Sequence, residues 1–220
     1  MKTDFEKFAL SRGIGSMTLD SYFKRQTNLL EPYILEERQL NVASMSVLSR
    51  LFYDRIVFLA DGVTPDTANI IKSQLLYLNS TGDDDIKLFI DTPGGDVISG
   101  LSLIDVMNFV KADVSTYCMG MCASMGSVIL SSGTKGKRYS LPHGEVMIHQ
   151  VRCGSEGVFE DVKISLNHAE RLQTELYTIL AENCGKTFDQ IKADADRDNW
   201  FTATEAKEYG LIDEIIKKTV

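Results

Sequence analysis

The sequence has no long hydrophobic run and little proline. No stretch approaches the roughly 18 apolar residues that a membrane-spanning helix requires. Four prolines and 16 glycines among 220 residues give no low-complexity bias, which argues against a disordered or fibrous chain. Residues 1–7 carry acidic side chains where a secretory signal has a basic segment followed by an apolar one. We therefore expect a cytoplasmic protein.

Basic residues are fewer than acidic ones, with 23 Lys and Arg against 31 Asp and Glu and a net charge of −8. This balance argues against a general surface for nucleic acid or anionic membrane and favours a protein or peptide as partner. The four cysteines lack paired C-x-x-C spacing, so we predict reduced thiols rather than zinc ligands or disulfides; they are Cys118, Cys122, Cys153 and Cys184.

From Tyr33 onward, strand-like and helix-like patterns alternate, which is typical of an α/β domain with crossover connections. Predicted strands cover residues 56–59, 88–90, 114–118 and 146–148, and predicted helices begin at Pro65 and cover residues 123–130 and 158–181. Thr202 and Glu205 form a capping box for a last short helix that ends at Gly210, before an apolar terminal strand. We predict one domain over residues 33–220, preceded by an N-terminal arm over residues 1–32 that is mobile or removable.

Two positions at predicted strand ends suit acyl-transfer chemistry. Gly94 and Gly95 allow the backbone to approach a ligand, and their N–H groups could face a developing negative charge; an ordinary tight turn also explains this pair. Ser124 precedes an apolar helix whose N-terminus favours an anionic intermediate. Taken alone, a buried N-cap explains Ser124 better.

The general base and its orienting carboxylate have several candidates. His149 ends a predicted strand, where α/β sheets present ligand-binding residues, whereas His143 falls in a loop and His168 on the long helix. The carboxylate could come from residues 194–198. An alternative interpretation of these residues is a calcium-binding loop, in which Asp194, Asp196, Asp198 and Glu205 would occupy positions 1, 3, 5 and 12. Asn199, however, replaces the glycine that such a loop requires at position 6.

Together these residues resemble the ClpP family of self-compartmentalising serine peptidases over roughly residues 33–220. The segments that carry the resemblance are residues 93–95, 123–126, 136–138, 141–142, 146–150, 196–198 and 205–213. The resemblance implies that Ser124 is the nucleophile, that His149 is the general base and then the acid, and that Asp198 holds the imidazole. It further implies that the N–H groups of Gly95 and Met125 form the oxyanion hole.

The resemblance also implies a crotonase-like fold of repeated ββα units with a protruding strand-helix handle. It implies a homo-oligomeric tetradecamer of two stacked heptameric rings, fed with unfolded proteins by an AAA+ unfoldase of the ClpX, ClpA or ClpC type and able to cleave short peptides unaided. The arm over residues 1–32 would be a propeptide or an axial loop. Because no segment resembles a P-loop, ATP would be used by the unfoldase, and we expect no cofactor, metal, nucleic acid or membrane for this chain.

Residues 151–157 depart from the family, which usually has proline and a glycine-rich stretch after the position of Gln150. In the family this segment begins the handle that pairs with substrate backbone and helps the rings dock, so the departure bears on both cleavage preference and ring stability. It also motivates an alternative, a catalytically weak or structural subunit of a mixed ring. A Ser-Lys peptidase of the signal-peptide-peptidase type would leave His149 and Asp198 unexplained, and a crotonase acting on CoA esters shares only the fold. Phe89 suits the apolar cleft that receives unfoldase loops in the family.

Overall fold

The computed structural model describes residues 33–38 and 41–217, which divide into two units between Tyr53 and Asp54. In the first unit, strands β1 (Tyr33–Arg38) and β2 (Asn41–Ser46) pair antiparallel and helix α1 (Val47–Tyr53) follows. The predicted arm over residues 1–32 lies outside the described residues. Its boundary and its role therefore stay predictions.

The second unit is built on a mostly parallel sheet that has seven strands within the described residues. The strands β3, β4, β5, β6 and β9 are adjacent in that order and parallel, while β7 pairs parallel with the end of β5 and β8 pairs antiparallel with β7. Their bounds are β3 (Ile56–Leu59), β4 (Ile86–Thr92), β5 (Val114–Ala123), β6 (Arg138–Ser140), β7 (Glu145–Ile148), β8 (Asn199–Thr202) and β9 (Glu214–Ile215).

Helices connect most of these strands, and parallel neighbours such as β3 and β4 require such a crossover because a tight turn cannot join them. They are α2 (Pro65–Thr81), α3 (Val97–Phe109), α4 (Met125–Ser131), α5 (Phe159–Cys184), α6 (Phe188–Asp194) and α7 (Ala203–Tyr209). The core contains Leu75 of α2, Leu88 of β4 and Leu103 of α3, all fully buried. All seven residues of α4 are buried, so this helix lies in the interior of the unit. No helix of the described ranges is long and apolar enough to cross a membrane.

Strand β5 runs past the predicted end at Cys118 because it carries a bulge. Ile90 of β4 lies opposite Cys118, but Thr92 lies opposite Cys122, so β5 contains two more residues than β4 over this interval. A bulge of this kind bends its strand and changes its partners.

The bulge divides β5 into two pairing regions. Its first half pairs with β6, and its last residues pair with β7. The Asp91 carboxylate accepts a hydrogen bond from the Met121 N–H at 2.9 Å and so holds the bulged backbone against β4. The strand consequently ends at a point where β4, β5 and β7 converge, immediately before Ser124.

The predicted helix ends match the structure where a local capping signal is present. The Thr64 hydroxyl accepts a hydrogen bond from the Thr67 N–H at the start of α2. At the start of α7, the Glu205 carboxylate accepts from the Thr202 N–H at 2.8 Å, and this bond lowers the pKa of Glu205. Gly210 ends α7 with a φ of 98°, a conformation that favours glycine.

A buried ion pair ties the C-terminal segment to the sheet. The side chain of Arg138 is 5% exposed, and its Nη2 donates to Asp213 Oδ1 at 2.6 Å. Its Nη1 also donates to the carbonyl of Asn183 at the end of α5, at 3.0 Å. Burial raises the pKa of Asp213, but the hydrogen bonds from the side chain and N–H of Arg138 and from the Gly136 N–H outweigh it, and the net shift is downward.

We predict that Asp213→Asn lowers the free energy of unfolding by about 2 kcal/mol, because it leaves the buried Arg138 without its countercharge. Since the pKa of Asp213 is lowered in the folded state, its contribution is complete at neutral pH and is lost as the pH falls through that pKa. Urea unfolding at pH 7 and at about pH 3 measures this, and the difference between wild type and variant should shrink at the lower pH. The exposed Asp83→Asn is the control; an equal effect of both variants would contradict the prediction.

Candidate active site

Ser124 occupies a strained turn between β5 and α4. Its φ of 55° and ψ of −123° are unusual for a residue with a side chain, and such a conformation costs about 1–3 kcal/mol. The Ser124 N–H donates to the Met147 carbonyl of β7 at 2.9 Å, and its carbonyl accepts from the Ser127 N–H at 3.0 Å. Although Ser124 lies at the N-cap position, its side chain makes no capping hydrogen bond to the described helix, so the N-cap interpretation of its hydroxyl is wrong.

A chain of two hydrogen bonds connects Ser124, His149 and Asp198. His149 Nε2 lies 2.8 Å from Ser124 Oγ, and His149 Nδ1 lies 2.9 Å from Asp198 Oδ1. An ionised carboxylate can only accept a hydrogen bond, so Nδ1 carries the proton and donates a hydrogen bond to Asp198. Nε2 of the neutral ring can then accept a hydrogen bond from the Ser124 hydroxyl. This is the tautomer that a general base for serine requires.

The pairing of β7 with β8 places the histidine beside the carboxylate. Ile148 and Asn199 lie opposite each other in this antiparallel pair. His149 follows Ile148 and Asp198 precedes Asn199, so both side chains leave the same end of the pair. The His149 side chain is 12% exposed, whereas that of Asp198 is 50% exposed, and the imidazole is therefore shielded from water more than the carboxylate.

Gly94 packs directly against the turn at Ser124. Gly94 has a φ of 90°, and a Cβ added there would lie 2.6 Å from the Ala123 carbonyl oxygen and 2.7 Å from Ser124 Cβ. A Cβ at Gly95 would overlap the Val63 carbonyl. Both glycines are therefore required for close approach of the backbone, which explains the pair better than an ordinary turn does.

Two backbone N–H groups next to Ser124 are available to a ligand. The Val63 N–H donates to the Gly94 carbonyl, and the Val63 carbonyl accepts from the Asp96 N–H, both at 2.8 Å. These two bonds pair Val63 with Gly95 but do not use the Gly95 N–H. Met125 is the first residue of α4, where an N–H has no acceptor within the helix. Gly95 and Met125 line the same cavity as Ser124.

The cavity that contains Ser124 and His149 has a volume of about 370 Å³. Its walls come from α3, α4, β7 and α5, and most of the side chains are apolar, among them Val97, Val128, Met147, Leu176, Tyr177 and Leu180. Such a wall accommodates an apolar side chain of a substrate next to the reacting bond. Helical periodicity indicated that Leu176 and Leu180 face inward, but no local signal identified them or Tyr177 as cavity residues.

The other two histidines lie away from this cavity. His143 is exposed in the turn between β6 and β7, and His168 is exposed on α5, where its Nδ1 lies 3.1 Å from Arg171 Nη2. The structure brings together Ser124, His149 and Asp198, as the sequence predicts, and no described contact joins the other two histidines to them.

The acidic residues of the alternative calcium loop have separate partners. Asp194 accepts from the Tyr209 hydroxyl at 2.8 Å, Glu205 accepts from Thr202, and Asp198 accepts from His149. Within the described ranges, no three His, Cys, Asp or Glu side chains form a group that could hold a metal ion. The calcium interpretation therefore has no support from the geometry.

All four cysteines are free thiols, as predicted. Burial raises the pKa of Cys184 to about 11 and that of Cys122 well above its ordinary value. Because the thiolate is the reactive form, these two residues are poor nucleophiles, and the cavity that contains Ser124 has no cysteine among its lining residues.

Comparison with known proteins agrees with this geometry. The family profile described as Clp protease matches residues 38–219. The chain belongs to the Clp protease family. It is 50% identical to an ATP-dependent Clp protease proteolytic subunit of Bacteroides fragilis (strain YCH46) over 217 residues, covering 98% of this chain and 99% of the relative.

Two further relatives are also named ATP-dependent Clp protease proteolytic subunit. The one from Bacteroides thetaiotaomicron is 49% identical over 98% of this chain and 99% of its own length, and the one from Porphyromonas gingivalis is 47% identical over 98% of both chains. The predicted family, its α/β fold and the serine peptidase class are thereby confirmed for this Clp protease family member.

We predict that Gly94→Ala lowers kcat for a short peptide by about 100-fold, because the added Cβ displaces the turn that carries Ser124. Gly62→Ala is the matched control. Gly62 lies in the neighbouring loop, and a Cβ there would have its nearest neighbour at 3.7 Å, an ordinary contact. Steady-state hydrolysis of a fluorogenic peptide measures both variants. Wild-type kcat in Gly94→Ala would show that the close packing has no role in activity.

Proposed function

We propose that this chain is the proteolytic subunit of an ATP-dependent Clp protease, which hydrolyses peptide bonds of unfolded proteins and, unaided, of short peptides. The observation that carries the proposal is the pair of hydrogen bonds from Asp198 through His149 to Ser124, at the edge of an apolar cavity. Relatives at 47–50% identity that are named as proteolytic subunits of ATP-dependent Clp proteases support the same function.

In this mechanism, the Ser124 oxygen attacks the carbonyl carbon of the scissile bond while His149 Nε2 takes the hydroxyl proton. The tetrahedral intermediate carries its negative charge on the former carbonyl oxygen, and in this proposal the N–H groups of Gly95 and Met125 stabilise that charge. Loss of one such donor typically costs about 2.7–4 kcal/mol of barrier. His149 then gives the proton to the leaving amine, which breaks the peptide bond and leaves an ester on Ser124.

The second half of the reaction uses the same groups. His149 takes a proton from a water molecule, which attacks the ester, and the proton returns to Ser124 when the acid product leaves. In both halves Asp198 accepts the Nδ1 hydrogen bond, keeps the imidazole in one orientation and stabilises the imidazolium. The positions of these groups require no metal or cofactor chemistry for this reaction.

The proposed assembly is a cytoplasmic tetradecamer of two stacked heptameric rings, supplied by an AAA+ unfoldase of the ClpX, ClpA or ClpC type that uses the ATP. Exposed apolar side chains on the long helix α5 support contact with further copies, because Phe159 is 76% and Ile164 66% exposed. Apolar patches of this kind are covered in stable assemblies.

An aromatic row on the sheet is suited to an unfoldase loop. The Phe89 ring stacks on Tyr117 at 4.5 Å and on Phe58 at 5.7 Å between centroids, and Tyr117 stacks on Tyr139 at 4.9 Å. These rings cross β3, β4, β5 and β6. Phe89 is only half-buried, so the row offers aromatic surface for an apolar side chain.

We predict that Ser124→Ala and His149→Ala each lower peptide hydrolysis by about 10⁴-fold or more, because neither variant can transfer the hydroxyl proton. His143→Ala is the control, since it removes an exposed histidine of the same protein. Hydrolysis is followed with a fluorogenic peptide, and oligomer size is checked by sedimentation. Peptide turnover by pure Ser124→Ala would contradict the proposal; inactivity of the wild-type protein would favour a structural subunit.

We predict that Phe89→Ala lowers ATP-dependent degradation of an unfolded protein by about tenfold or more while short-peptide hydrolysis is retained, because the loss of one aromatic anchor weakens a partner interface without touching the active site. Both rates are measured with the same preparation, so peptide hydrolysis is the internal control. Equal loss of both activities would show that Phe89 supports the fold rather than the unfoldase.

A further inference from the structure

Arg152 places a permanent positive charge at the edge of the apolar cavity. Among the described residues that line the cavity with Ser124, it alone carries such a charge. It also lines a second, wider groove of about 820 Å³ together with Asp196, Arg197 and Asp198. Arg152 therefore stands at the boundary between the cavity and the groove that extends from it.

The guanidinium is only loosely engaged with the protein. Arg152 Nη2 lies 3.8 Å from Asp198 Oδ2, which is beyond hydrogen-bond distance, and the Arg152 side chain is 79% exposed. Exposed ion pairs of this kind contribute little free energy. The other oxygen of this carboxylate, Asp198 Oδ1, already accepts a hydrogen bond from His149. Arg152 can therefore turn from Asp198 to another carboxylate at little cost.

The chemistry of the group indicates what it would bind. A guanidinium has five N–H donors in a planar fork and binds carboxylates with two parallel hydrogen bonds. The protein as a whole carries a charge of −8, which repels acidic segments of a substrate over longer distances. A positive group at the cavity offsets this repulsion where the substrate is cleaved.

We propose that Arg152 is a specificity-determining residue that binds an Asp or Glu side chain of the substrate, next to the apolar side chain that fills the cavity. The inference rests on the proposed peptidase function and adds a preference to it. It predicts that cleavage is favoured where an apolar residue and an acidic residue lie within a few positions of the scissile bond.

The same contact allows a different role, in which Arg152 acts only through Asp198. In that case, removal of the guanidinium would change the charge next to Asp198 and alter hydrolysis of every peptide to the same extent. A binding role instead changes kcat/KM for acidic peptides more than for neutral peptides, so the ratio between the two changes. Peptides with and without the carboxylate therefore separate the two roles.

The test uses paired fluorogenic peptides that differ only by Glu or Gln at one position flanking the cleaved bond. For the preferred position, wild type should show a kcat/KM about fivefold higher for the Glu peptide, the range of an exposed Arg–carboxylate pair. Arg152→Gln should reduce the ratio of kcat/KM between the Glu and Gln peptides to about one, and Arg152→Lys should keep part of the preference. Lys192→Gln is the matched control, because Lys192 is exposed and lines neither cavity nor groove. The preference should also decrease as salt is raised.

Two results would overturn the inference: no Glu preference in wild type at any flanking position, or an equal change of both peptides in Arg152→Gln. A binding measurement keeps it independent of catalysis. In the Ser124→Ala protein, fluorescence anisotropy should show tighter binding of the Glu peptide, and the added Arg152→Gln change should abolish the difference. If wild type cleaves neither peptide, the proposed function fails, and the binding measurement still decides the role of Arg152.

Discussion

The turn at Ser124 is the constraint on which the active site depends. A residue with a side chain holds a φ of 55° there, and the surroundings must supply the free energy that this conformation costs. They do so through the hydrogen bond to the Met147 carbonyl, the buried helix α4 and the close approach of Gly94. The same turn places the hydroxyl 2.8 Å from His149 Nε2, and it leaves the Met125 N–H without a helical acceptor. The proposed nucleophile, its contact with the base and the proposed oxyanion donor thus depend on one backbone conformation.

The environment of the triad divides into an apolar and a polar side. Met147, Val128 and Leu176 line the cavity on one side of Ser124, whereas Asp198 is half exposed on the other. An apolar wall of this kind strengthens the interactions of the proposed oxyanion donors with developing charge. Access of water to Asp198 keeps its carboxylate solvated, so it accepts the Nδ1 hydrogen bond without the cost of full burial. Arg152 lies where these two environments meet, which explains why its charge is tolerated beside an apolar cavity.

Local signals in the sequence predicted the helix starts at Pro65 and Ala203 and the strand that ends before His149, because caps and short apolar runs act within a few residues. The resemblance supplied the order of Ser124, His149 and Asp198. Neither the local signals nor the resemblance predicted the long-range contacts. The bulge in β5 depends on Asp91 and Met121, 30 residues apart, and the Arg138–Asp213 pair joins residues 75 apart. Neither has a local pattern. Tyr177 was missed for the same reason, since its position in the cavity depends on how α5 packs on α4.

Covalent labelling with a fluorophosphonate, followed by peptide mass spectrometry, tests the central claim most directly, because it requires no knowledge of the substrate. The probe phosphonylates a serine only when a base takes its proton and the oxygen of the adduct meets donors. The account predicts one adduct, on Ser124, that is absent from the His149→Ala protein and present in the His143→Ala protein. An unlabelled Ser124 in assembled wild-type protein, or labelling of Ser124 that persists without His149, would contradict it.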